Sequence, residues 1–167
     1  MPLMSNVGRS TMKPITATAH IQLADFTLAA PGPPDTYFGV AESFLPGLRP
    51  LAGGMPATAL SLAFLAAHIL ECLLKAAVTK TARSDLALKG NAKVRHNIDA
   101  LWKLAISHGL PLSPSPPTWV ENLSRLHAHP YHLRYSTSVH AVTSPAAEPM
   151  TTDLIALLEQ VRVFLRS

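Results

Sequence analysis

Cysteine is almost missing from this sequence. Cys72 stands alone, which excludes an internal disulfide and suits a reducing compartment such as the cytoplasm. Charge is scarce as well. Asp, Glu, Lys and Arg supply 14% of the residues against 48% hydrophobic ones, a balance that excludes a disordered chain. So few charges on a small domain predict that part of the apolar surface is covered by a second subunit, and a homodimer is expected. No basic segment followed by an apolar one opens the chain, so no secretory signal is read. No repeat recurs at a solenoid period.

Acidic residues are missing altogether from one stretch. Between Asn122 and Ala147 there is no Asp or Glu, while Arg125, His127, His129, His132, Arg134 and His140 all fall inside it. With a formal charge of +4, this local bias permits an anionic partner without requiring one.

What is present is helical punctuation. The 167 residues suit one domain, divided into an arm over residues 1–34 and a bundle over 35–167. In the arm, Ile15, Ala17, Ala19, Ile21 and Leu23 alternate with polar residues, which predicts an edge strand or an irregular extension. A first helix starts after Asp35 as N-cap, with Tyr37, Val40, Ala41, Phe44 and Leu48 on one face, and Pro46 and Pro50 kink or end it. The second, from Pro56 to Thr81, carries two adjoining stripes: Leu60, Phe64, Ala67 and Leu74, and Leu62, Leu65, Ile69 and Leu73. A helix apolar over most of its circumference belongs at the centre of a domain. Its apolar length would reach across a bilayer, but His68, Glu71 and Lys75 inside it argue for a bundle core and against a membrane partner.

A third helix is predicted over Val94–His108, with Ile98, Leu101, Trp102 and Ala105 inward and Gly109 as its C-terminal turn. Thr118 and Glu121 have the spacing of a capping box for a fourth, whose inward residues are Val120, Leu123 and Leu126 and which Pro130 stops. The last helix is expected to take Thr151 or Thr152 as its N-cap, with Leu154, Leu157, Leu158, Val161, Phe164 and Leu165 as its core face. The fold expected is therefore all-α, an antiparallel bundle of about five helices.

Three features could carry chemistry. Glu71 and Lys75 lie one turn apart on the central helix, which fits an i,i+4 ion pair or a carboxylate that positions an Arg or His from another helix. His96 falls where a helix starts, and there a histidine usually caps the helix or faces solvent. The cluster His127, His129 and His132 matches no zinc-ligand spacing and has no Cys or HExxH companion, so neither a metal nor a cofactor is expected. Arg134 and His140, by contrast, could act together on a phosphodiester. The imidazole would serve as general acid or base at a 2′-hydroxyl, and the guanidinium would stabilise charge on the phosphorane. Arg125 and His132 repeat nearly the same spacing.

Taken in order, three segments resemble the HEPN (higher eukaryotes and prokaryotes nucleotide-binding) family. Residues 69–76 (ILECLLKA) are similar to its glutamate and Leu-Lys-Ala segment, residues 95–101 (RHNIDAL) to the start of its next helix, and residues 130–135 (PYHLRY) to its Arg-Tyr element before the last helix. The resemblance covers most of residues 37–166. It implies a dimeric helical bundle that binds RNA or nucleotide. Many members are metal-independent endoribonucleases of defence or toxin–antitoxin systems. Arg134 and His140 would then be the catalytic pair, with Glu71, His96, Arg125, His132 and Tyr135 supporting or binding substrate. A separate chain would supply any nucleotidyltransferase or antitoxin-type partner. Tyr135 stands where many members carry Asn, Asp or His, which keeps a second reading open: an inert dimeric binding module in which Tyr131, Arg134 and Tyr135 are packing residues.

Overall fold

The computed structural model describes residues 32–128, 133 and 145–167. The alternating segment of the N-terminal arm lies outside these residues, as do His129, His132, Arg134, Tyr135 and His140. Within them the protein is all-helical: α1 (Asp35–Phe44), α2 (Leu48–Gly53), α3 (Ala59–Thr79), α4 (Leu86–Lys89), α5 (Ile98–Ser107), α6 (Thr118–His127) and α7 (Ala147–Arg166). Five of these have ten residues or more, and they form the expected helical bundle; α2 and α4 are short additions.

α3 is the hub. It packs against α1, α2, α5, α6 and α7, and from Ile69 to Thr79 every residue is buried. Such continuous burial explains why its hydropathy passes the test for a membrane span: 83% of that apolar window lies inside the bundle. The first turns differ. Leu60 and Phe64 were expected on an inward stripe, yet they are 49% and 42% exposed, because the buried face of these turns is the one that carries Leu62, Ala63, Ala66 and Ala67.

The core stripes of α5 and α7 match the periodicity, whereas Phe44, expected on the inward face of the first helix, is 43% exposed. Ile98, Leu101, Trp102 and Ala105 of α5, and Leu154, Leu157, Leu158 and Val161 of α7, are all buried. The boundaries required correction. Asp35 is the first residue of α1 and does not cap it; the cap position is Pro34. Asn97, not a residue near Val94, starts α5 by accepting a hydrogen bond from the Ala100 N–H at 3.0 Å. The Thr118–Glu121 capping box does not form: Thr118 is already helical, no side chain caps α6, and Glu121 pairs with Arg125 at 3.8 Å. The cap position of α7 is Ala146, five residues before Thr151, because Pro149 falls in its first turn, where no backbone N–H is needed. Gly109 does close α5 in the left-handed region, with φ +94°.

Candidate functional site

One carboxylate organises the interior of the bundle. Glu71 comes from the most deeply buried part of α3 and is 3% exposed. Its own helix supplies the first partner, Lys75, whose Nζ lies 2.6 Å from Oε1, with both side chains almost completely buried. The turn before α5 supplies the second, His96, with Nδ1 at 3.0 Å from Oε1. The last residue of α6 supplies the third, His127, with Nε2 at 2.6 Å from Oε2.

Local structure places each donor. Asn97 takes the cap of α5, so the preceding His96 is released from the helix and turns toward α3. On α6, His127 follows Val120 and Leu123 at helical spacing, and all three are buried on the inward face. The Lys75 ammonium also lies 5.5 Å from the face of the Tyr37 ring on α1, whose hydroxyl donates to Asp85. Burial and that bond beside a carboxylate push the Tyr37 hydroxyl up to about 12.

Burial alone would raise the Glu71 carboxyl. The hydrogen bonds and charge of His127 and Lys75 outweigh it and hold the group down at about 2. Glu71 is therefore an ionised anchor at neutral pH and not a proton donor. An ionised carboxylate only accepts, so His127 directs an N–H from Nε2 and His96 one from Nδ1. The buried Nδ1 of His127 has no hydrogen-bond partner among the described residues. His127 is also shut off from solvent, with its side chain 2% exposed, whereas that of His96 is 34% exposed and gives solvent a route to the cluster. Beside Glu71, the Cys72 thiol is pushed up to about 11, first by burial and then by that negative charge, so it is no thiolate nucleophile.

The structure thus joins Glu71 and His96, both expected at a site, forms the expected Glu71–Lys75 ion pair, and adds His127. His96 does not cap its helix, because Asn97 takes the cap; its ring bonds Glu71 while the side chain stays partly open to solvent. The structure does not bring Arg125 into the cluster. That side chain is 76% exposed and lines a shallow groove of about 370 Å³ with Asn97, Asp99, Val120, Glu121 and Ser124. The groove runs between α5 and α6, past the neighbours in sequence of His96 and His127. His127 was legible as an inward position of α6, but reading it along the chain with His129 and His132 hid the period that buries it.

Fold and site together define a small all-α bundle built around a buried carboxylate with imidazole and ammonium partners. Set against known proteins, the chain matches no family model, no curated protein and no solved structure.

Proposed function

We propose that this chain is a HEPN-like helical domain that binds RNA or a nucleotide and acts as a metal-independent endoribonuclease through Arg134 and His140. The observation that carries the reading is the 3.0 Å contact of His96 with Glu71. It joins two of the three segments on which the family resemblance rests, although 25 positions separate them. The third segment starts three residues after His127, which holds the same carboxylate. Leu133, within that segment, is buried and donates its backbone N–H to the Leu126 carbonyl at 3.4 Å. Glu71 is then a positioning residue: a fixed charge that sets the end of α6 and the turn before α5. The basic stretch beyond α6 supplies the groups that meet phosphate, with Arg125 on the adjoining groove, in a reducing cytoplasm.

The test is cleavage and binding of unstructured single-stranded RNA in EDTA by the full chain. Cleavage that disappears in both Arg134→Ala and His140→Ala supports the nuclease. Binding that weakens in Arg134→Ala without any cleavage keeps the RNA-binding reading and removes catalysis. An RNA affinity unaffected by Arg125→Ala and Arg134→Ala together sinks both.

A specific observation favours a second reading, a dimeric interaction module. Phe44, Leu60 and Phe64 are each more than 40% exposed. Leu60, Phe64 and His68 follow one another at four-residue spacing, and the Phe44 ring meets the His68 ring edge-on at 5.5 Å. A partly exposed apolar strip of this kind suits contact with a second copy or with an antitoxin-type chain. Light scattering on the wild type and on Phe64→Glu tests it: a dimer that becomes a monomer supports the strip as the interface, and an unchanged mass rejects it.

A further inference from the structure

We propose that Glu71, His96 and His127 form a binding site for a divalent transition-metal ion of the zinc, cobalt or nickel type. The proposal is independent of the RNA reading. One carboxylate oxygen and two imidazole nitrogens lie within 4.8 Å of one another. Two imidazoles with one carboxylate suit borderline ions; magnesium and calcium, which favour oxygen alone, fit this set poorly. Three protein ligands leave a fourth position for water or a ligand, and of the two rings His96 is the one that solvent reaches.

The framework is held from three directions. Glu71 is fixed within α3 and His127 at the buried end of α6, and His96 is fixed by the Asn97 cap beside it. With metal–ligand bonds of about 2.1 Å, neighbouring tetrahedral ligands stand about 3.4 Å apart. The observed separations, 3.0 Å from Oε1 to the His96 nitrogen and 2.6 Å from Oε2 to the His127 nitrogen, involve both carboxylate oxygens. With one oxygen taken as the ligand, the three ligand atoms lie within 4.8 Å of one another and must settle toward that tetrahedral spacing. Each neutral ring must also turn its lone pair to the ion. His127 would carry its N–H on Nδ1, where no partner among the described residues holds the ring to the other tautomer.

Lys75 is the built-in competitor. Its ammonium stands 2.6 Å from Oε1, where a cation would approach the carboxylate, and it already faces the Tyr37 ring at 5.5 Å, a contact it could keep when displaced. Metal uptake would therefore exchange one cation for another at Glu71 and leave α3, α6 and the turn before α5 tied through one ion.

The experiment is equilibrium dialysis of the full chain against Zn²⁺ alone, with Co²⁺ visible absorption as a second readout. One ion per chain is expected, with His96→Ala weakening binding by more than about tenfold. Lys75→Met should do the reverse and tighten it, a sign that a merely structural lysine does not produce. Because His96 is partly exposed, its replacement tests the site even if variants of the buried Glu71 or His127 fail to fold. A combined His129→Ala, His132→Ala and His140→Ala variant should bind as the wild type does. The proposal is overturned if the wild type binds no stoichiometric Zn²⁺, if that triple variant loses the ion while His96→Ala keeps it, or if Lys75→Met leaves the affinity unchanged or weaker.

Discussion

The chain writes one short pattern, an acid followed four residues later by lysine, three times, and two of these pairs lie in opposite environments. On α3, Glu71 and Lys75 meet at 2.6 Å with side chains 4% and 7% exposed; on α5, Asp99 and Lys103 meet at 2.8 Å with side chains 51% and 69% exposed. Geometry barely separates them. Solvent does. The α5 pair exchanges water contacts for a contact of similar strength, so it adds little. The α3 pair has lost its water, and each charge depends on its partners. Two imidazoles converge on the buried carboxylate, whereas Asp99 only decorates the surface of its helix.

That contrast can be broken by mutation. The largest effect is expected for Glu71→Ala, which leaves Lys75 buried without its carboxylate and should cost about 3–5 kcal/mol in urea unfolding. A cost below about 1 kcal/mol would mean that the two pairs are alike after all.

Acid should reproduce part of the same loss. The folded Glu71 carboxyl lies at about 2 against an ordinary 4.5, so its folded form is favoured in the ionised state. The contribution is complete above about pH 4.5 and is lost as pH falls through about 2. The interval corresponds to roughly 3 kcal/mol. Wild type and Glu71→Gln compared across this range should show the steeper decline only in the wild type, and parallel curves would refute the linkage.

Removing one imidazole is expected to matter less. His127→Ala empties a buried position and deprives Glu71 of one donor, with an expected loss of about 1–3 kcal/mol by thermal unfolding. Lys103→Ala sits at the bottom of the series, at no more than about 0.5 kcal/mol, and 1 M salt should erase even that. If high salt instead shrank the Glu71→Ala effect to the same degree, the buried pair would be a screened one and the comparison would fail.

The bundle was readable because apolar residues recur at helical intervals on α5 and α7 and crowd nearly the whole circumference of α3, where burial is continuous from Ile69 to Thr79. Helix ends were less readable. A proline in the first turn of α7 looks in sequence like a residue that must lie outside a helix, and the spacing of Thr118 and Glu121 looks like a cap that the backbone does not use. The site was half visible. Glu71 drew attention as a charge on an apolar helix, and a positioned histidine was one of the two outcomes its burial allowed. Which histidine could not be read, since His96 and His127 reach Glu71 from positions 25 and 56 residues away.

The sequence by itself determined that this chain is helical, that α3 lies at its centre, and that a carboxylate there would need partners. Those conclusions rest on local rules: period, helix punctuation, and the cost of burying a charge. Only the tertiary structure decided that Glu71 gathers His96, His127 and Lys75 while the equal pattern at Asp99 stays a surface pair. Distance through space and exclusion of water make that difference, and neither is a property of the spacing that both pairs share.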